Sequence, residues 1–339
     1  MKKPAFALAA LLLLVTLLQP AAGQELDMAG VKYTAKLRDA GALLTAPDTD
    51  APSLGLISAG TRVHILEVAP DWLKIRTQKG QEGYIRRGRL AETTARPVNP
   101  ALEPAYAAVP CAYLGWVKGE APVLAAPEAG AKMLVTLYDG ARVALIDVTS
   151  GWARLIYHRQ YAYMDTRQLK ELLPMGEHMA GMDRDIPLAA YTSFYKLGDD
   201  GSNLSRIRNL RVACQRFGLY ILQPGDKLDF NAHIGPYNRR SGYEPANVIV
   251  AGEIAQGYGG GTCQVSSTLY NTILQLPEIG ILHRRAHGPS GASYLPHGAD
   301  AAVGTETQNF IIQNRFPYPV RIDGSVQDGA LTIALYRAD

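Results

Sequence analysis

The chain is short of cysteine, of excess charge and of long apolar runs, and each shortage removes a class of protein. Three cysteines stand among 339 residues: Cys111, Cys214 and Cys263. An odd number cannot pair entirely within one chain, so outside the cytosol at least one thiol is expected to be free or joined to another chain. Lys and Arg total 34 against 31 Asp and Glu, a formal net charge of +3. That balance gives no electrostatic case for nucleic acid as a partner, and it leaves open a weak attraction to an anionic wall polymer. Beyond residue 18 no stretch is long and apolar enough to cross a membrane. His and Cys are not spaced as in a known zinc motif, and no metal or other cofactor is expected.

The one apolar run lies at the start. Lys2 and Lys3 precede Ala5 to Leu18, which only Thr16 interrupts, and Pro20, Ala21, Ala22 and Gly23 follow. This reads as a signal peptide over residues 1–23, cut after Gly23, which places the protein outside the cytosol with no stable membrane span after cleavage. The alternative is a membrane anchor, but 14 residues fall short of the ~20 that span a bilayer. No cysteine follows the run, so a lipid-modified terminus is not expected. The mature chain would hold 316 residues (339 − 23) and a charge of +1 once the two lysines are removed. That length suggests two or three domains.

An internal repeat occupies the first half. Pro47, Gly60 and Trp72 recur as Pro127, Gly140 and Trp152, each shifted by 80, and Gly83-Tyr84-Ile85 recurs as Ala162-Tyr163-Met164, shifted by 79. Short alternating runs such as Val63, Ile65 and Val68, punctuated by Gly, Pro and Asp, predict small antiparallel barrels. An apolar strand, Ala-Pro, a Gly-x-x-Val strand, a Gly/Asp-Trp strand and a closing aromatic step resemble the bacterial SH3 domain over 35–92 and again over 113–172. The resemblance makes Trp72 and Trp152 packing residues and implies a module that binds or targets cell-wall material. Residues 93–110, with Pro97, Pro100, Pro104 and Pro110, are expected to be a stiff, extended spacer between the barrels.

A third domain is expected over 190–337. It opens with an amphipathic helix, Leu204 to Phe217, with Ile207, Leu210, Ala213, Cys214 and Phe217 on one face, and with Asn203 or Ser205 as its cap. Strands are expected at 219–222, 309–313, 320–323 and 331–336. The fold class is therefore an α+β C-terminal domain preceded by two small all-β SH3-like barrels.

The sharpest signal is Gly259-Gly260-Gly261-Thr262-Cys263-Gln264-Val265-Ser266-Ser267-Thr268-Leu269-Tyr270-Asn271. The glycines permit unusual backbone angles and close approach. The helical pattern after them puts Cys263 at the first turn, where free amides and the helix dipole favour a thiolate and could hold an oxyanion. A nucleophilic thiol needs a base and a group to orient it. His283, His287, His297 and Asp300 follow in sequence, and any of the three histidines could be that base. Other readings stay open: a buried structural thiol, a triple glycine that merely turns, a Ser266-Ser267-Thr268 run that only packs, or a zinc site from Cys263 and two histidines.

The third domain resembles the VanW-like family. Arg206-x-x-Asn209, Pro224-Gly225-Asp226, Asp229-Phe230-Asn231, Ile234-Gly235, Gly242-Tyr243, the glycine-cysteine motif, His287 and Tyr294-x-Pro296-x-Gly298-x-Asp300-Ala301 carry the likeness. The resemblance implies a cysteine L,D-transpeptidase-like acyltransferase, or a carboxypeptidase, acting on peptidoglycan stem peptides through a thioester. Cys263 would be the nucleophile, His287 the base and Asp300 its orienting partner. Gly259, Gly260, Gly261, Gln264, Ser266, Ser267 and Tyr294 would bind substrate or support the oxyanion. One departure stands out: the family often has Asp where this chain has Asn309, which would supply a hydrogen bond without the charge. The implied partners are stem peptides or glycan, and the implied place is the cell wall. The rival reading is a non-enzymatic wall-binding protein with a structural Cys263.

Overall fold

The computed structural model describes residues 27–339 apart from Pro70, Ala105, Ala107, Ala108, Leu219, Ala251, Gly252, 288–291 and Ser293. The expected signal peptide lies outside the described residues. Strands dominate, with four α-helices among the described residues, all C-terminal to the two N-terminal modules.

The first module contains Tyr33–Leu37, Gly41–Leu44, Ser53–Ile57, Arg62–Val68, Trp72–Thr77, Glu82–Arg86 and Leu90–Pro97, joined in one antiparallel sheet. The side-chain period of two explains it: Val63, Ile65, Leu73, Ile75 and Ile85 turn to one core. The second module repeats the first strand for strand. Tyr113–Val117, Ala121–Leu124, Met133–Leu137 and Trp152–Tyr157 start at 33 + 80, 41 + 80, 53 + 80 and 72 + 80. Even the turn is repeated. Gly60 (φ 77°) and Gly140 (φ 82°) both sit in the left-handed region and donate to Leu37 O (2.8 Å) and Val117 O (2.9 Å). The modules differ where Arg62–Val68 becomes two strands, Arg142–Leu145 and Asp147–Thr149. The second module therefore has a five-stranded and a three-stranded sheet, which share one core around Val117, Val143 and Leu155.

Two expectations for this half change. Trp72 is buried under the Arg86 guanidinium, 4.3 Å from its ring, but Trp152 is half-buried and lines a surface cleft of about 490 Å³ with Pro127 and Tyr163. Residues 93–110 are not a free spacer. The strand Leu90–Pro97 pairs with Tyr33–Leu37 out to Pro97, and the buried Tyr106 ring packs edge-on to Tyr33 at 5.4 Å. An aromatic ring has too much apolar surface to leave in water when a core lies within reach.

The C-terminal domain is built on a four-stranded antiparallel sheet. Its order is Ala189–Phe194, Ala330–Arg337, Val320–Gln327 and Ile221–Leu222. A second sheet joins Lys227–Asp229, Phe310–Asn314 and Ile279–Arg284, and a hairpin pairs Pro245–Val250 with Glu253–Tyr258. Helix α1 (Glu177–Met182) leads in, and α2 (Gly201–Phe217) lies against the main sheet. Helix α2 starts earlier than the sequence suggests because Asp200 caps it, accepting from Asn203 N at 2.9 Å. Its expected face, Ile207 to Phe217, is buried. Helix α3 (Phe230–Ile234) is short, and α4 (Thr262–Ile273) packs on the Ala189–Phe194 and Ala330–Arg337 strands.

Those two strands are buried on both faces. Helix α4 covers one side, and the second module covers the other through Leu114 and Ala144 against Ala190, Ala334 and Tyr336. A buried hydroxyl chain fixes the register of this contact. Ala144 N donates to Thr192 Oγ1 (2.8 Å), Thr192 and Thr332 share a 2.7 Å hydrogen bond, and Thr332 Oγ1 donates to Arg142 O (2.7 Å). Arg142 also pairs with Asp323. The small alanines let the sheets approach, and the threonines satisfy the polar groups that the approach would strand. Ala190→Glu would bury a carboxylate here without a partner. The expected cost is about 3 kcal/mol, read as a lower urea midpoint; an unchanged midpoint would contradict the docked arrangement.

Candidate active site

Gly259 (φ 80°) and Gly261 (φ 108°) turn the chain from the hairpin into α4. The space a Cβ would need is already taken: over Gly259 by Tyr237, over Gly260 by Ala246 and Asn247 O, and over Gly261 by Arg206, all within 3.0 Å. These glycines therefore admit the protein's own side chains and backbone rather than a substrate, and they set Cys263 as the second residue of α4. Thr262 N and Gln264 N close the turn onto Gly259 O (3.0 Å) and Gly261 O (2.8 Å). Among the described residues the Cys263 amide has no backbone acceptor, as first-turn amides generally do not. Cys263 Sγ lies 3.5 Å from both Val303 N and Val303 O.

His287 faces this sulfur. Asp300 Oδ2 accepts from His287 N and meets His287 Nδ1, each at 2.7 Å, and the His287 ring is near enough to Cys263 for the two side chains to interact. With Nδ1 on the carboxylate, Nε2 is the nitrogen left for the sulfur. Burial alone would lower the His287 pKa, but the hydrogen bond to Asp300 and the interaction with Cys263 outweigh it and raise it to about 10. Asp300 is almost wholly buried. Burial pushes its pKa up, while the His287 bonds and the Arg284 guanidinium more than offset this and bring it below the usual carboxylate value. Arg284 Nε donates to Asp300 O (2.7 Å), and its Nη2 donates to Gly298 O (2.9 Å). Cys263, His287 and Asp300, which the sequence names as a set, are thus brought together, with His287 hydrogen-bonded to Asp300.

The other expected site residues do different work. Gln264 is buried and fully engaged: its Nε2 donates to Ser193 Oγ (3.0 Å) and Phe194 O (3.2 Å), and its Oε1 accepts from Arg206. Ser266 Oγ donates to Ala301 O (2.6 Å), and Ser267 Oγ accepts from Ala301 N (2.9 Å). Neither serine is exposed, so both fasten the segment after Asp300 to α4. Tyr294 is half-buried, within electrostatic reach of Cys263 and Arg206, and burial raises its pKa. Among the described residues neither His283 nor His297 hydrogen-bonds Cys263 or Asp300. His297 stacks on Tyr106 at 5.3 Å; burial and the cations Arg159, Arg87 and Lys32 depress its pKa to about 3. A zinc site from Cys263 and two histidines therefore has one histidine in place.

Among the described residues Asn309 hydrogen-bonds no member of the triad. Its Nδ2 donates to Asp229 Oδ1 (2.8 Å), and its Oδ1 accepts from Asn231 N (3.1 Å). An aspartate there would set two carboxylates together, so the amide suits this chain. Sequence reasoning overlooked Asn271, whose Nδ2 donates to Ala299 O (2.7 Å), and Asn231, which holds Tyr237 Oη (3.1 Å) and Gly304 N (2.9 Å). Both stand inside matched or helical segments, but their partners are remote in sequence. A cleft of about 670 Å³ opens beside Arg206 and Tyr294, with the second module as its opposite wall.

Residues 205–336 match the family described as VanW like protein, and residues 39–91 match the bacterial SH3 domain; one SH3 match was found where the sequence reading expects two. The uncharacterized protein YoaR of Bacillus subtilis (strain 168) is 34% identical over 160 residues, covering 46% of this chain and 52% of that protein. The match thus spans about half the length of that relative. An NlpC/P60 family protein from Bacillus cereus ATCC 10987 overlays at 16% identity and TM-score 0.17, covering 42% of this chain and 56% of that one. NlpC1 from Trichomonas vaginalis overlays at 12% identity and TM-score 0.17, covering 62% and 59%. Overlays this loose carry no conclusion about fold or activity.

Asp300→Asn removes the charge that holds the His287 proton. The His287 pKa is expected to drop from about 10 toward the ordinary value near ~6.5, followed by ring ¹H–¹⁵N NMR. The sign for stability follows. A raised folded pKa gives a contribution that is complete below about pH 6.5 and is lost as pH rises toward about 10. The wild type should therefore lose its advantage over Asp300→Asn across that window. An unmoved His287 titration would show that Asp300 does not govern it.

Proposed function

We propose that the C-terminal domain is a thiol acyltransferase acting on peptidoglycan stem peptides, a cysteine L,D-transpeptidase whose site also hydrolyses when water replaces the amine. The observation that supports it most is His287 held between Asp300 and Cys263. The substrate class rests on the VanW-like and bacterial SH3 likenesses. The same reading makes the second module a second SH3-type domain, both modules wall-directed, and the protein exported to the cell wall by residues 1–23.

The chemistry runs through two acyl transfers, amide to thioester and thioester to amide. His287 carries the Cys263 proton, and the thiolate attacks a stem-peptide carbonyl carbon, so that a C–S bond forms and the π pair moves to oxygen. The free Cys263 amide at the α4 N-terminus is placed to hold that oxyanion. Collapse breaks the C–N bond, and His287 protonates the departing D-amino acid amine, leaving a thioester. An amine from a second stem peptide attacks next, His287 takes its proton, and the new amide releases the thiolate. Asp300 keeps the imidazole oriented throughout and balances its charge. The hydrogen-bond contact of Cys263 Sγ with Val303 favours a second reading, a binding protein whose thiol is structural.

Purified protein, wild type and Cys263→Ala, incubated with tetrapeptide muropeptides separates the two. An acyl adduct by intact mass on the wild type alone, with dimers by chromatography, is the expected result. Equal turnover by Cys263→Ala would refute the thioester. Turnover should also fall as pH rises through about 10, where the leaving amine loses its proton donor.

A further inference from the structure

We infer that the cleft between the second module and the C-terminal domain is the acyl-donor site, and that the second module supplies its far wall and selects carboxylate-bearing peptides. This rests on the thioester reading above and adds where the donor lies and what recognises it. The cleft is lined from one side by Tyr138, Tyr157 and His158 and from the other by Lys196, Arg206 and Tyr294, among others. None of the triad residues lines it, and the last pair connects it to the triad. Arg206 hydrogen-bonds Gln264, the residue after Cys263, and Tyr294 lies within electrostatic reach of the sulfur.

The wall is fixed in place. The threonine chain described above locks the second module to the sheet beneath α4. Its hairpin also reaches across: the Arg159 guanidinium lies 3.4 Å from Leu295 O and from Ala292 O, in the loop that carries Tyr294. A ligand in the cleft therefore touches two modules that cannot separate without breaking this contact.

The chemistry of the lining is one-sided. Lys196 and Arg206 supply positive charge, aromatic rings supply flat apolar surface, and among the described residues no Asp or Glu lines the cleft. That combination suits a peptide with a carboxylate and apolar side chains. Glycan alone would give the cations nothing to pair.

The repeat adds an independent sign. In the first module the corresponding hairpin turns at Gly80, with φ 82°. The second module's hairpin is one residue shorter, as the shift from 80 to 79 shows, and places His158 at φ 58°. A non-glycine residue there is strained, and strain of this kind collects at functional surfaces. The His158 ring stacks on Tyr157 at 4.2 Å, and Tyr157 leans on Phe194 at 5.1 Å. The imidazole thus extends an aromatic platform into the cleft that glycine would not provide.

The test uses the full chain with Cys263→Ala, which cannot turn substrate over. Calorimetry measures binding of a disaccharide-tetrapeptide muropeptide and of the same probe with its carboxyl groups amidated. Adding Lys196→Glu should weaken binding at least about tenfold, and amidation should do the same to the parent. Tyr138→Ala and His158→Gly should each weaken it about threefold to tenfold; glycine accepts the positive φ, so the turn survives. Lys196 and Tyr138 are exposed, and matching thermal melts would confirm intact folds. Parent-like affinity in all three variants would overturn the cleft assignment while leaving the thioester reading standing. A parent that binds no muropeptide would overturn both.

Discussion

Helix α4 is buried along nearly its whole length, yet much of its surface is hydroxyl and amide. A helix surrounded by protein is ordinarily apolar, because a buried polar group without a partner costs about 1–3 kcal/mol. Ser266, Ser267, Thr268, Asn271 and Thr272 avoid most of that cost by bonding outward, to Ala301, Ser193, Ala299 and Ile333 O. Ser267 both donates to Ala301 O and accepts from Ala301 N. That pair of hydrogen bonds holds Ala301 in register, and Asp300 is its neighbour. The separation between the Asp300 carboxylate and the first turn of α4 is therefore set by the helix. His287 is placed by Asp300, and Cys263 by the glycine turn, so the triad is the meeting of these two constraints.

The same strands that carry α4 on one face carry the second module on the other. Alanines at the contact and threonines that bond across it make that module part of the domain's packing rather than a tethered neighbour. Tyr106 does the equivalent for the first module, sitting between Tyr33 and His297. A module docked in this way holds its surface at a fixed place relative to Cys263.

The sequence made the architecture legible because its signals were local. The offset of 80 residues, the period of two in the strands and the apolar face of α2 all depend on neighbours in the chain. The cysteine motif and the order Cys263, His287, Asp300 were legible too, on the strength of a long and unusual pattern. The roles of Gln264, Ser266 and Ser267 were not, since a polar residue near a nucleophile reads as a substrate contact until its partner is seen. Those partners lie 34 to 71 residues away. The linker misled for a similar reason: four prolines suggest extension, whereas Tyr106 finds a core. The cleft had no signature at all, because its walls come from different modules.

On the proposed reading Cys263 is poised by His287 and Asp300 rather than stored as a core thiol. Competitive alkylation of the native protein with iodoacetamide at pH 7, resolved by peptide mass spectrometry, tests it most directly, because Cys111 and Cys214 serve as internal controls. Burial raises the pKa of both, so Cys214, which is buried, should react only after unfolding, and Cys111, which is half-buried, should react far more slowly than Cys263. Cys263 should be modified first in the native state, and faster than a free cysteine at the same pH. A Cys263 that stays unmodified until the fold is lost would contradict it.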